Sequence, residues 1–503
     1  MSNHLFDAIR NSISADDAPF MLTANGRVWS YGDMLRLSGQ LAAKLIALGV
    51  EPGDRVAVQV EKSPEALILY LACIRAGAVY LPLNSAYTLA ELDYFIGDAE
   101  PRLVVVAPEK AEGVRSIAAS HTARVETLDQ NGNGSLTSDL EENSAFKDVP
   151  RAPEDLAAIL YTSGTTGRSK GAMLTHDNLL SNASTLRDYW QFTARDRLIH
   201  ALPIFHTHGL FVASNTILLA GASMHFMQKF DADEALQLMD DATCLMGVPT
   251  FYVRLVQHEG LTREATARMR LFISGSAPLL AETHMQFRQK TGHAILERYG
   301  MTETNMSTSN PYDGERIAGT VGFPLPGVTL RITNPETGEL LATDETGMIE
   351  VKGPNVFKGY WRMPEKTQAE FRGDGFFITG DLGKLDERGY VHIVGRGKDL
   401  VISGGYNIYP KEVETEIDQL QGVIESAVVG VPHPEFGEGV TAVVVRKAGS
   451  EIDEGAILAG LRDRLARYKQ PKRIVFVDEL PRNTMGKVQK NILRDMYAEI
   501  YNT

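Results

Sequence analysis

Between residues 33 and 107 the chain switches repeatedly between two hydrophobic periods. Residues 33–48 (DMLRLSGQLAAKLIAL) carry apolar side chains at helical spacing and stop at Gly49, after which residues 55–60 (RVAVQV) read as a strand. The alternation continues with a helix over 64–75, a strand at 79–82, a helix over 88–96 and the strand LVVVA at 103–107. Successive strands joined through helices pair in parallel, because the crossover must lie on a face of the sheet. A mostly parallel α/β sheet is therefore expected.

Further along, the apolar run LAAIL (156–160) opens into YTSGTTGRSKG (161–171). Gly164, Gly167 and Gly171 allow positive φ and close backbone approach, Thr162, Ser163, Thr165, Thr166 and Ser169 supply hydroxyls, and Arg168 and Lys170 supply charge. Successive backbone N–H groups in such a loop form an anion-binding concavity, and phosphate is its natural guest. The loop is not a Walker A, since Lys170 is followed by Gly171 rather than Ser or Thr. The following AMLTHDNL is expected to start a helix after a turn.

Composition narrows the class. At 503 residues, two to four structural units are expected. A net charge of −14 argues against a broad nucleic-acid or acidic-membrane surface, which needs clustered cations. Cys73 and Cys244 sit in apolar surroundings with no metal or disulfide spacing, which fits a reducing compartment. The first residues lack an apolar stretch long enough for a signal peptide, and the most apolar windows (65–83 and 209–226) are interrupted by Arg75 and by Ser214 and Asn215. A cytoplasmic protein with neither nucleic acid nor membrane as partner is expected.

The remaining motifs are spread along the chain. ALPIFHTHGL (201–210) brackets His206 and His208, which on a strand would face opposite ways and chelate poorly. ISGSAPL (273–279) and ERYGMTETNM (297–306) are small-residue turns after apolar runs. GMIEVKG (347–353) and residues 375–396 show the alternation and Gly turns of an antiparallel region, in which Asp381 offers two acceptor oxygens suited to a ribose diol. Residues 129–150 are polar and Gly/Asn-rich and suit a surface excursion. From Asp399 onward the pattern becomes a small α+β domain: a helix initiated by Pro410, strands at 426–431 and 441–446, a helix over about 456–468 and a strand at 473–477. The boundary is placed between residues 397 and 398.

In this order the motifs resemble the AMP-forming adenylating enzymes, the superfamily of acyl-CoA synthetases, luciferases and peptide-synthetase adenylation modules. The resemblance runs from WSYGDML (29–35) and RAGAVYLPLN (75–84) to PRNTMGKVQK (481–490), essentially the whole chain. It implies a large N-terminal adenylating domain (1–397) with a small mobile C-terminal domain (398–503), binding ATP, coenzyme A and Mg²⁺. It implies that Thr162, Ser163, Gly164, Thr165, Thr166, Gly167 and Lys170 hold the phosphates, and that Thr162 and Glu303 face the magnesium. Gly275, Ser276, Ala277, Glu297, Tyr299, Gly300 and Thr302 would border the adenine, and Asp381 and Arg396 the ribose. His206 would border the carboxylate pocket, whereas His208 has no such support. Lys398 would be the hinge, although many relatives carry Asp there; Gly404 and Gly405 would face the coenzyme A channel, and Lys487 would be the mobile catalytic lysine. The chemistry implied has two halves: a carboxylate attacks the α-phosphate of MgATP to give an acyl-adenylate and pyrophosphate, then a thiol displaces AMP.

Arg298 bears on which acid is used, because many aryl and fatty acid ligases have a small or neutral residue there. A buried guanidinium demands an anion, which is either a second carboxylate on the substrate, assisted by Ser276 and His206, or a protein carboxylate such as Glu297 or Asp313. The first choice resembles the malonate-activating members of the family. Alternatives are the same chemistry on methylmalonate or another small carboxylic, fatty or aryl acid, or a silent adenylate-binding scaffold. Acetylation of Lys487 would remove its charge, so a lysine acetyltransferase and deacetylase are expected as partners acting there.

Overall fold

The structure is a computed structural model and describes residues 2–141, 146–162, 169–403, 406–462, 464–465, 467–483 and 486–501. By its internal contacts the chain forms two compact units, one of residues 1–329 and 351–377 and one of residues 330–350 and 378–503.

The first unit holds two large sheets. In the seven-stranded sheet, Arg55–Gln59 lies between Val79–Pro82 and Leu103–Val106, all parallel, with Arg124–Thr127 and Leu156–Thr162 outside them. Runs such as LVVV are buried along their whole length, as strands covered on both faces must be. The helix Pro64–Ala76 shows how locally the chain sets these elements. Ser63 caps its start by accepting from Ala66 N–H, Pro64 occupies the first turn, and Gly77 ends it at φ 74°. Arg75, buried within that helix, is neutralised by Asp148 at 2.6 Å, so the polar 129–150 excursion supplies a counter-ion for the core.

One expectation fails beside the phosphate loop. Residues 170–175 form a strand, not a turn into a helix: Leu156–Thr162 and Lys170–Thr175 are antiparallel, with Thr162 opposite Lys170. Gly359–Tyr360 adds to the outer edge, and a reciprocal cap between Thr175 and Asn178 delays the helix to His176. Thr162 and Lys170, which flank the loop in sequence, are thus cross-strand neighbours.

The nine-stranded sheet has a parallel centre, in the order Leu271–Ser274, Cys244–Gly247, Arg197–His200, Ser223–Phe226, with Leu296–Met301 beside Leu271–Ser274. His206 and His208 are not on a strand. The strand stops at His200, and His208–Ser214 forms a π-helical turn running into the helix Asn215–Ala220. Gly209 permits it, because a Cβ there would overlap the Pro203 carbonyl.

The second unit contains a four-stranded sheet, in which Phe377–Leu385 pairs antiparallel with Val391–Arg396, and a sheet built on the long pair Val423–His433 and Gly437–Arg446. The strand expected at 473–477 is present and adds in parallel to Gly437–Arg446. The helix expected over about 456–468 is shorter, Glu454–Leu461, followed by a 3₁₀ turn at Arg467–Lys469. A hinge at Lys398 would lie inside this unit. Among the described residues no helix is long and apolar enough to cross a membrane.

Candidate functional site

In the first unit the sequence motifs collect at the carboxyl ends of the parallel strands, where loops of open α/β sheets bind ligands. Strands Leu271–Ser274 and Leu296–Met301 run side by side with Ser274 opposite Glu297, which brings Gly275 and Ser276 next to Arg298. A Cβ on Gly275 would overlap the Arg298 guanidinium carbon, so the absent side chain makes the guanidinium's place. Arg298 is 4% exposed, and its Nε and Nη2 have no hydrogen-bond partner among the described residues. Burial pushes its pKa down to about 9, which still leaves it charged at neutral pH. Among the described residues no carboxylate pairs with it. Glu297, one of the two protein partners considered, instead accepts from Gly319 N–H at 3.1 Å and lies 3.5 Å from His284 Nδ1. The other, Asp313, accepts from Gln191 at 2.6 Å.

Around Arg298 lie more polar groups set in apolar surroundings. His208 is 1% exposed, with Nδ1 at 3.2 Å from Ser276 Oγ and Nε2 without a partner. Burial, reinforced by the Arg298 charge, holds His208 well below its usual pKa and therefore neutral. Ser276 has φ 73°, a left-handed conformation that costs a non-glycine residue free energy and recurs at ligand sites. Thr207 Oγ1 and Ser274 Oγ are also buried and unpartnered. His206 is half-buried beside them, its Nδ1 accepting from His208 N–H at 3.4 Å. Buried polar atoms without partners are costly, and so many near one cation mark a place for a polar, anionic guest. His208, set aside in the sequence, thus lies against Ser276 in the same cluster as Arg298; its signal was only its position two residues after His206.

The paired strands Leu156–Thr162 and Lys170–Thr175 bring together a second group. Thr162 Oγ1 donates to Glu303 Oε1 at 3.4 Å, and Glu303 is 4% exposed. Tyr360 Oη lies 3.0 Å from the same Glu303 oxygen and 2.6 Å from Glu370 Oε2. Glu370 Oε1 pairs with Lys170 Nζ at 3.2 Å and with Lys366 Nζ at 2.8 Å, and Lys170 also sits 4.0 Å above the Tyr360 ring. Burial would raise Glu370, but its bonds to Lys366, Tyr360 and Lys170 outweigh that and lower its pKa. Both ends of the loop, Thr162 and Lys170, are thus tied to one network. Tyr360 and Glu370 carry no motif that sequence alone exposes. Ser163, Gly164, Thr165, Thr166 and Gly167 lie outside the described residues, as do Gly404 and Gly405.

Oxygen donors with only one carboxylate suit Mg²⁺, which completes its shell from phosphate and water. Glu303 with Thr162, one carboxylate beside one hydroxyl, has the sparse oxygen chemistry such an ion uses.

The adenine candidates surround the same strand. Gly300 is required because a Cβ would overlap the Asn305 carbonyl across the tight hairpin of Leu296–Met301 and Asn305–Ser309, which carries Thr302 and Glu303 at its turn. Tyr299 is half-buried opposite Thr308, and Ala277 follows Ser276 in the adjoining loop. In the second unit Asp381 and Arg396 are cross-strand partners, with Arg396 Nε 2.8 Å from Asp381 Oδ1. Lys398 lies in the 3₁₀ turn Gly397–Asp399, and Asp399 is paired with Arg494. Lys487 follows Gly486, which adopts φ 74°, in a turn bridged between Arg482 and Val488.

Residues 12–361 match the AMP-binding enzyme family and residues 412–487 its C-terminal domain, and the chain belongs to that family. Within it, the chain is 63% identical to an ATP-bound MatB from Rhodopseudomonas palustris, with a TM-score of 0.97 over 100% of both chains. It is 38% identical over 478 residues to a feruloyl-CoA synthase from Amycolatopsis sp, covering 94% of this chain and 95% of that one. It is 34% identical over 553 residues to a malonate–CoA ligase from Arabidopsis thaliana, covering 98% and 90%.

Proposed function

We propose that this protein ligates malonate to coenzyme A through a malonyl-adenylate, with ATP cleaved to AMP and pyrophosphate. The observation that carries the substrate is Arg298: a buried cation whose Nε and Nη2 lack partners, resting on Gly275, beside a neutral His208 linked to Ser276. Among the relatives at 34% and 38%, identity alone does not separate a malonate ligase from an aryl-acid ligase, since both kinds are represented there. A buried guanidinium does, because an aryl monocarboxylate would leave it unpaired at a cost of several kcal/mol.

In the first half-reaction one malonate carboxylate oxygen attacks the α-phosphorus and pyrophosphate leaves. Arg298 would hold the distal carboxylate bidentately and so aim the other one, with Ser276, His208 and His206 adding hydrogen bonds. Lys170 and the hydroxyl-rich loop would hold the β- and γ-phosphates. Glu303 and Thr162 would hold Mg²⁺, which supplies charge neutralisation on the phosphates. Tyr299, Gly275, Ala277, Gly300, Thr302 and Glu297 would border the adenine, and Asp381 and Arg396 the ribose. Lys487 would stabilise the charge developing between carboxylate and α-phosphate. In the second half-reaction the segment beyond a hinge at Lys398 would turn, Gly404 and Gly405 would admit the thin pantetheine arm, and the thiol sulfur would attack the acyl carbonyl and expel AMP. Acetylation of Lys487 by a lysine acetyltransferase would then act as an off-switch in the cytoplasm.

The test is CoA-dependent pyrophosphate release from ATP with malonate, methylmalonate, succinate, acetate, butyrate and ferulate as competing acids. Malonate is expected to give the highest kcat/KM. Preference for acetate, butyrate or ferulate would overturn the dicarboxylate assignment.

A further inference from the structure

The peptide unit that joins Gly486 to Lys487 has both of its polar groups held by side chains. Its carbonyl accepts from Arg482 Nη1 at 2.7 Å, and its N–H donates to Asn483 Oδ1 at 2.9 Å. Arg482 uses its other terminal nitrogen, Nη2, on the carboxylate of Glu425. Glu425 lies in the strand Val423–His433, which is paired along its length with Gly437–Arg446, the central strand of its sheet. The backbone closes the turn: Asn483 N–H donates to the Lys487 carbonyl at 2.9 Å, Gly486 N–H to the Asn483 carbonyl at 2.9 Å, and Gln489 N–H to the Pro481 carbonyl at 2.8 Å. Just beyond it, Lys490 Nζ reaches Glu414 Oε1 at 2.5 Å.

This arrangement has a geometric consequence for Lys487. The plane of the preceding peptide sets the direction of the Cα–Cβ bond, and the ammonium stands roughly 6 Å from Cα along a chain of ~1.5 Å bonds. A tilt of about 20° in that plane would carry the ammonium about 2 Å, and even a 1 Å misplacement of a reacting group can cost about 10²-fold in rate. Arg482 and Asn483 are exposed, and an ion pair at such a surface adds only about 0–1 kcal/mol to stability.

We infer that Arg482 and Asn483 are positioning residues for Lys487, with Glu425 anchoring Arg482 to the sheet. The inference rests on the reading of Lys487 as the lysine of adenylate formation. It assigns the pair to one half-reaction only, because on that reading Lys487 acts in adenylate formation and not in thioester formation.

The two half-reactions separate it from a structural role. Arg482→Ala and Asn483→Ala are expected to slow malonate-dependent pyrophosphate release in the absence of CoA by roughly 10- to 100-fold. Thioester formation from supplied malonyl-adenylate should stay within about twofold, as for other surface substitutions. Arg482→Lys should recover only part of the loss, since one ammonium does not reproduce the two-pronged bridge from Gly486 to Glu425. In a Lys487→Ala background Arg482→Ala should cost nothing further. Equal slowing of both half-reactions, or unchanged adenylation, would overturn the positioning role. Adenylation that survives Lys487→Ala would instead remove the reading of Lys487 itself, whatever the Arg482 variants do.

Discussion

Replacing Arg298 tests what the pocket is built to hold. The guanidinium is 4% exposed, charged at neutral pH, and has two nitrogens without partners. If malonate supplies the missing anion, Arg298→Ala leaves the distal carboxylate desolvated and unpaired, which costs about 3–5 kcal/mol for a broken buried pair. At 1.4 kcal/mol per decade this is roughly two to four decades in kcat/KM for malonate. Butyrate has no distal charge, so it should lose nothing or gain, because the wild-type pocket strands the cation when butyrate binds. Arg298→Lys keeps a charge without the planar fork and should be intermediate at best. Gly275→Ala offers a control that leaves the charge in place: its Cβ would overlap the guanidinium carbon and displace it, so malonate should again fall more than butyrate. Initial rates of pyrophosphate release with each acid, alongside thermal melting to confirm folding, decide the matter. If malonate and butyrate fall together in a folded Arg298→Ala protein, Arg298 serves the fold or the nucleotide and the dicarboxylate assignment is lost.

Three other perturbations probe separate parts of the account. Lys487→Ala should cost about 10²–10³ or more in adenylation and spare thioester formation from supplied adenylate, and equal loss in both halves would point to a disturbed fold. Glu370→Gln removes a counter-ion from Lys170 and should lower KM for ATP by roughly two- to fivefold, the worth of about 0.5–1 kcal/mol; an unchanged KM would mean that Lys170 does not reach the phosphates. In the second unit burial raises the Asp418 carboxyl to about 7, so the folded form holds its proton more tightly than the unfolded chain. That contribution to stability is complete below about pH 4 and is lost as pH rises through about 7, amounting to at most about 4 kcal/mol. Urea unfolding of Asp418→Asn should therefore show a flatter pH dependence between pH 5 and 8 than wild type, and an identical slope would reject the assignment.

What the sequence disclosed follows the range of the interactions involved. The alternating strands and helices of residues 33–107 and the strand Arg473–Val477 were legible because their hydrophobic periods are local. The helix expected to start within AMLTHDNL is there from His176, but the turn expected before it is the strand Lys170–Thr175, held by Leu156–Thr162 on one side and by Gly359–Tyr360, far along the chain, on the other. His206 and His208 defeat period-based reading for a similar reason: Gly209 folds their turn against Pro203, and nothing in the spacing of two histidines reports a glycine's contact. In the site, Arg298 could be singled out as an unusual charge beside Tyr299, but that no carboxylate pairs with it among the described residues became visible only once Glu297 and Asp313 were seen bonded elsewhere. Tyr360 and Glu370 join Thr162 and Lys170 across roughly two hundred residues of sequence, a separation at which neither period nor propensity carries information.

The most direct test of the two-step reaction is the fate of a carboxylate oxygen. With malonate labelled with ¹⁸O in both carboxylates, together with ATP and CoA, attack at the α-phosphorus followed by thiol displacement transfers one labelled oxygen to the nucleotide. Mass spectrometry should then find one ¹⁸O in AMP per malonyl-CoA formed and none in pyrophosphate. Label in inorganic phosphate, with ADP as the nucleotide product, would contradict the adenylate route.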